Sequence, residues 1–276
     1  MKKYLVIGNP IGHSLSPLIH NHWIKKYCLF DSIYEKRKVE EKDLANIVEE
    51  IRDGKIIGVN VTVPFKKLII PFLDKLDFTA KKTESVNTLF KINDKIVGYN
   101  TDREGFALTM KELFPDSKDS TTPRALQGKN IFILGAGGVT SSIIDALQHG
   151  STKIFLSNRT RKKAEELKKK YAEVEILDWG KRPLTCDIVI NTTSIGLAKD
   201  EKINIDFNDC DGDKGKLFYD LIYNPKETNF LKEARLRGNS TMNGQRMFLN
   251  QAIYAFNLWT NIKPEIDDEA IKLLDL

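Results

Sequence analysis

An α/β fold of two domains is predicted for this chain, and three observations predict it. Apolar strand-like runs alternate with helix-like periodicity over most of the 276 residues. One of those strands, Ile131-Phe132-Ile133-Leu134, turns sharply through Gly135-Ala136-Gly137-Gly138 into an apolar-periodic helix. A stretch rich in Ser, Thr and Asp, from Pro115 to Gln127, separates that unit from an earlier run of strands and helices. The second unit then reads as a doubly wound, Rossmann-type nucleotide-binding domain.

Taken in order, residues 3–7 form a short apolar strand and Gly8 to Pro17 a loop. Ser16-Pro17 offers an N-cap followed by proline at the first helical position, so a helix is expected to about residue 27. A strand is expected near 32–38, then an amphipathic helix over 41–53 with Leu44, Ile47, Val48 and Ile51 on one face. Gly58 to Pro64 alternates as a strand, a helix is expected from about 65, and 85–92 with 95–99 reads as a hairpin across Asn93-Asp94. Strands near 130–135, 153–157, 175–177, 187–191 and 217–220 alternate with helices, and Gly244 to Phe256 is a closing helix outside that alternation.

The glycine turn has a physical purpose. Glycines permit the tight backbone, and the helix after them offers free N–H groups and a positive dipole end to a pyrophosphate. Gly135, Ala136, Gly137, Gly138 and Val139 are therefore cofactor-binding candidates. The strand Lys153 to Ser157 arrives where a nucleotide ribose belongs. An NAD site usually ends that strand in a carboxylate, whereas this one continues Asn158-Arg159-Thr160-Arg161. Guanidinium and hydroxyl groups bind a 2′-phosphate that a carboxylate would repel, so the expected cofactor is NADP. One irregularity stands in the turn. Thr140 occupies the position where Gly or Ala allows close helix–strand packing, and the hydroxyls of Thr140-Ser141-Ser142 are expected either to loosen that packing or to add phosphate contacts.

Composition narrows the class. The net charge of +5 forms no dense basic block with interleaved aromatics, so no nucleic-acid partner is indicated. Cys28, Cys186 and Cys210 are sparse, odd in number and without metal-ligand spacing, which favours a reducing, cytoplasmic setting and no metal. No run suits a signal peptide or a bilayer span.

Chemistry gathers in the first block. In Asn60-Val61-Thr62-Val63-Pro64-Phe65-Lys66, alternation puts Asn60 and Thr62 on one strand face, and Lys66 follows beyond the strand end. Asp102 ends Gly98-Tyr99-Asn100-Thr101-Asp102, and a Lys–Asp pair in a cleft can hold a substrate hydroxyl and pass its proton. Read singly, Lys66 is equally a surface lysine at a helix start, Asp102 a helix N-cap and Asn60 a satisfied strand residue. Ser14 and Ser16 are equally a turn and a cap, and His13 is read as a structural loop residue.

The motifs in combination decide between these readings. Gly8 to Asn21, Asn60 to Lys66, Ser85 to Thr88, Gly98 to Asp102, Gly135 to Gly138, Asn158 to Thr160, Asn191 to Gly196 and Asp220 to Pro225 occur in that order. Together they resemble the shikimate dehydrogenase family over nearly the whole chain. The resemblance implies NADP-linked interconversion of 3-dehydroshikimate and shikimate by hydride transfer at ring carbon 3. It implies a catalytic pair at Lys66 and Asp102, with Ser14 and Ser16 on the substrate carboxylate and Tyr223 near it. Asn60, Thr62, Asn87 and Gln251 would contact the substrate ring, while Gly244, Met247, Thr192, Thr193 and Ser194 would lie beside the nicotinamide.

The implied architecture is a substrate domain over 1–106, an NADP domain over 107–242 and a C-terminal helical segment, 243–276, returning to the substrate domain, with the active site in the cleft between. A small-molecule substrate, no membrane partner and a monomer or homodimer are expected. Quinate or dual quinate/shikimate dehydrogenase is the nearest alternative, and a catalytically silent shikimate-sensing module is the alternative from another class.

Overall fold

The computed structural model describes residues 1–115, 126–148, 152–183, 185–198, 200–204 and 215–274. Most of the expected loop over 115–127, and Cys210, lie outside the described residues. The chain forms two compact units, residues 1–105 with 249–276, and residues 106–248. Among the described residues no helix is long and apolar enough to cross a membrane.

The first unit is built on a six-stranded mixed sheet. Its strands are β1 (Lys2–Gly8), β2 (Ser32–Lys38), β3 (Gly58–Val61), β4 (Lys75–Leu76), β5 (Thr88–Ile92) and β6 (Lys95–Tyr99), in spatial order β2-β1-β3-β5-β6-β4. β1 runs parallel to β2 and β3, while β5 is antiparallel to both β3 and β6. The β5–β6 hairpin turns through Asn93 and Asp94, both left-handed at φ 46° and 61°, which is the two-residue turn that suits strand twist. Helix α2 (Leu44–Arg52) buries Leu44, Ile47, Val48 and Ile51, as its spacing predicts.

Three local expectations in this unit need correction. Helix α1 (Ser16–Lys26) begins at Ser16 itself, with Leu15 as the N-cap residue and no side-chain cap, so Ser16 is helical and its hydroxyl is left for other work. No α-helix follows residue 65. The chain makes turns over 63–69 and then a short 3₁₀ helix, Ile70–Phe72, because Pro71 has no N–H to continue an α-helical ladder. Residues 77–83 instead supply an unexpected short helix, α3 (Phe78–Thr83), whose Asp77 cap accepts from the Thr79 and Ala80 N–H groups. It ends at Glu84 (φ 52°) and delivers Ser85 to Asn87 to the start of β5.

α1 carries a buried histidine. His20 is 1% exposed, stacks flat on Tyr34 at 4.2 Å, and meets Trp23, Phe256 and Trp259 on its other sides. Neither ring nitrogen has a hydrogen-bond partner among the described residues, and burial holds its pKa down at about 3, so the ring is a neutral aromatic plate.

The second unit holds a six-stranded, wholly parallel sheet: β7 (Asn130–Leu134), β8 (Lys153–Ser157), β9 (Glu175–Leu177), β10 (Ile188–Asn191), β11 (Leu217–Asp220) and β12 (Ser240–Met242). Their spatial order, β9-β8-β7-β10-β11-β12, is the doubly wound dinucleotide order, with its switch point between β7 and β10. Helices α5 (Thr140–Leu147), α6 (Arg161–Lys170) and α7 (Asn229–Leu236) connect the strands. Ile131, Ile133, Ile143, Ile144, Leu156 and Ile188 share one apolar cluster; Phe132, Leu134, Val189 and Phe218 share another, as strands covered on both faces require.

Helices α4 (Thr101–Leu113) and α8 (Gln245–Thr260) each contribute residues to both units, and α9 (Asp268–Leu273) ends the described chain. Asp267 caps α9 and pairs with Lys26 of α1 at 2.6 Å; that ammonium holds its carboxyl down at about 2.

Asp220, at the end of β11, is fully buried and accepts from Thr228 Oγ1 (2.6 Å), Asn191 Nδ2 (3.0 Å) and the Ile222 N–H (3.0 Å). Burial outweighs those bonds and raises its pKa to about 6. The folded state therefore favours the protonated acid. That contribution is complete below the ordinary pKa near 3.8 and is lost as pH rises to about 6. Above that pH the ionised group costs on the order of 3 kcal/mol. Asp220→Asn is expected to gain on the wild type in urea midpoint between pH 4 and 7; a difference constant over that window would refute the assignment.

Candidate active site

In the first unit the polar residues of β3, β5 and α4 form one buried network. Lys66 Nζ pairs with Asp102 Oδ2 at 2.6 Å, the two side chains being 13% and 8% exposed. The turn that carries Lys66 is anchored by the buried side chains of Phe65 and Ile69, and the Lys66 carbonyl accepts the Val86 N–H at 2.8 Å. Among the described residues, the carboxylate is the ammonium's only side-chain partner, so donors remain for a ligand.

Asp102 is not the cap of its helix. Asn100 Oδ1 accepts the Asp102 and Arg103 N–H groups at 3.1 and 3.4 Å, while its amide donates to Thr83 Oγ1 and the Ser85 carbonyl. The cap being Asn100, the Asp102 carboxylate is left for side chains. One oxygen takes Lys66 and the other accepts Asn87 Nδ2 at 3.0 Å.

Asn87 is held by the Thr101 N–H, which donates to its Oδ1 at 2.8 Å, and Gln251 of α8 approaches the Asn87 amide and Thr101 hydroxyl at 3.5 Å. Asn60 is also spoken for by the protein: Oδ1 accepts from Tyr34 OH at 2.7 Å, and Nδ2 donates to the Asn87 carbonyl and Thr88 Oγ1 at 3.1 and 2.9 Å. Thr62, by contrast, is half-buried and its hydroxyl has no partner among the described residues. Ser14 and Ser16 lie together, their hydroxyls 3.3 Å apart, while His13 beside them is exposed.

The second unit places the nucleotide candidates around the switch point. Gly135 has φ 105°, and a Cβ there would fall 2.6 Å from Thr192 Oγ1, so only glycine fits between β7 and the loop after β10. Among the described residues the Gly138 and Val139 N–H groups have no acceptor, and a Cβ at Gly137 would meet open space. That is the cradle an anionic pyrophosphate requires. Asn158 ties the turn to the end of β8 by accepting the Ala136 N–H at 3.1 Å and donating to the Thr160 carbonyl at 2.8 Å.

The two arginines part company. Arg161 is engaged by Glu165 and Asp178, whereas Arg159 is exposed and has no acceptor among the described residues.

The structure corrects the expectation for Thr140. Its side chain neither loosens the turn nor faces a phosphate. The residue is fully buried, and its hydroxyl accepts the Gly137 N–H at 3.0 Å and lies 3.2 Å from the Gly135 carbonyl and 2.8 Å from Thr192 Oγ1. Thr192 donates to the Leu134 carbonyl at 2.7 Å, so this hydroxyl pair stitches the glycine turn to the β10 loop. Ser141 likewise turns inward, to the Gly138 carbonyl.

Thr193 caps the same loop through Asn191, and Ser194 is exposed beside it. Gly244 leaves no room for a side chain, since a Cβ would fall 2.0 Å from the Leu221 carbonyl oxygen. Met247 packs in the apolar cluster of this unit, and Tyr223 stacks on Phe248 at 4.4 Å.

Comparison with known proteins identifies the family. Residues 6–89 match the profile described as shikimate dehydrogenase substrate binding domain, and residues 118–225 match shikimate / quinate 5-dehydrogenase. The chain belongs to the shikimate dehydrogenase family. It is 50% identical over its full length to shikimate dehydrogenase (NADP(+)) of Pelagibacter ubique, covering 99% of that protein. Among solved structures, the shikimate dehydrogenase of Aquifex aeolicus is similar with a TM-score of 0.86 and 34% identity, over 100% of this chain and 96% of that one. The Thermus thermophilus enzyme in complex with NADP(H) and shikimate is similar at 0.81 and 26% identity, over 100% and 98%.

Tyr34, Thr88 and Asn100 also belong to this family member's network; Thr88 and Asn100 lie within the Ser85 to Thr88 and Gly98 to Asp102 motifs without a role assigned from sequence, and Tyr34 lies outside every motif.

Thr140→Ala removes the acceptor for the Gly137 N–H and one half of the hydroxyl pair. Losing about 1–1.5 kcal/mol of turn geometry is expected to weaken NADP+ binding roughly tenfold by calorimetry, with Thr140→Ser restoring it. Equal affinity in all three proteins would refute this role.

Proposed function

We propose that this protein catalyses the reversible, NADP-linked reduction of 3-dehydroshikimate to shikimate, the first unit taking the substrate and the second the cofactor. The observation that carries the reading is the Lys66–Asp102 pair, 2.6 Å apart and joined to Asn87, in a chain whose other unit offers a glycine cradle and an unpaired Arg159. NADPH supplies the hydride that reduces ring carbon 3.

The chain's own residues bind and move protons. Lys66 Nζ donates a proton to the oxygen on that carbon as negative charge develops there, and its positive charge stabilises the oxygen beforehand. In the reverse direction the same nitrogen takes the hydroxyl proton. Asp102 holds Lys66 in place and, with Asn87, accepts and donates to a ring hydroxyl. Thr62 and Gln251 contact the remaining ring hydroxyls, and Asn60 contributes by holding Asn87 and Thr88. The neighbouring hydroxyls of Ser14 and Ser16 bind the substrate carboxylate, with Tyr223 toward the same group.

In the second unit, residues 135–139 and Asn158 cradle the pyrophosphate and Arg159 with Thr160 binds the 2′-phosphate. Arg161 reaches that phosphate only by giving up Glu165 and Asp178, so Arg159 carries the larger share. Thr192, Thr193, Ser194, Gly244 and Met247 border the nicotinamide. The protein acts on small molecules in the cytoplasm, as a monomer or homodimer, without nucleic-acid or membrane partners.

Absorbance at the nicotinamide band, with shikimate or quinate each paired with NADP+ or NAD+, tests the reading. Shikimate with NADP+ is expected to turn over fastest, and no turnover with that pair refutes the proposal. Lys66→Ala is expected to lower kcat by about 10²–10⁴ while KM stays within a few-fold; an unchanged kcat would remove Lys66 from proton transfer.

A further inference from the structure

We propose that Tyr34, a strand residue outside the substrate and cofactor sites, is a positioning residue for the reaction, acting through Asn60 and Thr88 on Asn87 and the Asp102 carboxylate. The inference rests on the reaction assigned above.

The argument begins with direction. Asn60 Nδ2 lies 3.1 Å from the Asn87 main-chain carbonyl, which only accepts, so the amide must face that way. Asn60 Oδ1 therefore faces Tyr34, whose hydroxyl donates to it at 2.7 Å. At the other end the Thr101 N–H, which only donates, lies 2.8 Å from Asn87 Oδ1. That turns Asn87 Nδ2 toward Asp102 Oδ1, at 3.0 Å. Thr88 Oγ1 bridges the two amides, accepting from Asn60 at 2.9 Å and donating to Asn87 Oδ1 at 3.2 Å. Two main-chain groups thus impose one polarity on the whole series, from the phenol to the carboxylate. Asn60, Asn87, Thr88 and Asp102 are all buried, so a missing member leaves its partner unpaired.

Tyr34 is itself held unusually well for a residue of an edge strand. Asn21 of α1 donates Nδ2 to the Tyr34 carbonyl at 2.8 Å and accepts the Tyr34 N–H at 2.9 Å. The preceding residue, His20, lays its ring flat against the tyrosine, with an interplanar angle of 4°. The adjacent His20 and Asn21 therefore fix the phenol in position and angle. This also accounts for a buried imidazole with no polar partner: His20 serves as a stacking surface.

Without the phenol proton, Asn60 Oδ1 becomes a buried acceptor with no donor. The amide cannot relieve this by rotating, because its Nδ2 is held by the Asn87 carbonyl and Thr88; the unpaired oxygen instead weakens the hold of Asn60 on both and loosens the order at Asn87. Substrate binding and proton transfer, which use Asn87 and Asp102, feel that loss, while the cofactor residues do not.

The test is a double-mutant cycle on shikimate oxidation with NADP+, using Tyr34→Phe and Asn87→Ala. Tyr34→Phe keeps the ring and its stacking partner. It is expected to raise KM for shikimate and lower kcat/KM about tenfold, with KM for NADP+ unchanged. In the Asn87→Ala background the same change is expected to cost less than about twofold, because its route to the active site is gone. Thr88→Val should reproduce the tenfold loss and Thr88→Ser should not, which keeps the test decisive if Tyr34→Phe fails to fold. Additive effects in the cycle, or a Tyr34→Phe protein that loses stability but keeps its KM for shikimate, would overturn the proposal. A wild-type protein that turns over no shikimate is a separate result, which refutes the assigned reaction and takes this inference with it.

Discussion

A buried carboxylate has to be paired, and at Asp102 the pairing is shared. One oxygen belongs to Lys66 and the other to the Asn87 amide, with Asn100 taking over the helix cap that Asp102 would otherwise provide. The rest of the first unit's polar interior follows from this division. Asn87 can face Asp102 only because the Thr101 N–H holds its carbonyl end, and Asn60 can hold Asn87 only because Tyr34 satisfies its own oxygen. Leaving any one of these groups unpaired costs about 1–3 kcal/mol in such a setting.

The second unit solves a different problem by similar means. An anion cradle needs main-chain N–H groups left free, and free N–H groups leave a loop poorly determined. Here Gly138 and Val139 keep theirs open while side chains hold the loop from outside: Thr140 and Thr192 from the helix and the β10 loop, Asn158 from the end of β8. The threonine that breaks the usual small-residue pattern thereby replaces close packing with hydrogen bonds. Further along the same sheet, Asp220 ties β11 to the loop that follows, although burial works against its charge.

Regular periodicity was legible and punctuation was less so. The amphipathic spacing of Leu44 to Ile51, the Asn93-Asp94 hairpin and the strand–glycine–helix signal at Gly135 are all local, and each appears where the spacing places it. The misplaced elements fall beside prolines and caps. The turns after residue 62 stand where a helix is expected from about 65, and Pro71, which has no N–H to continue an α-helical ladder, decides against it. Among the site residues, Lys66 and Asp102 stood out because they are charged and follow strand ends. Tyr34 and Thr88 did not, because a phenol or hydroxyl within a strand reads as packing until its partner is known.

From the sequence alone came the two α/β units, the nucleotide turn, the preference for a 2′-phosphate over a bare ribose, and the motif order that marks the family. These depend on residue type and spacing along the chain, which local sterics and charge translate directly into structure. Only the tertiary structure decided that Arg161 is occupied while Arg159 is free, that Thr140 faces inward, and that Asn60 is satisfied by Tyr34. Each of those outcomes is a choice of hydrogen-bond partner. The Tyr34–Asn60 and Thr140–Thr192 contacts join residues far apart in the chain, brought within 3 Å only when the sheets form.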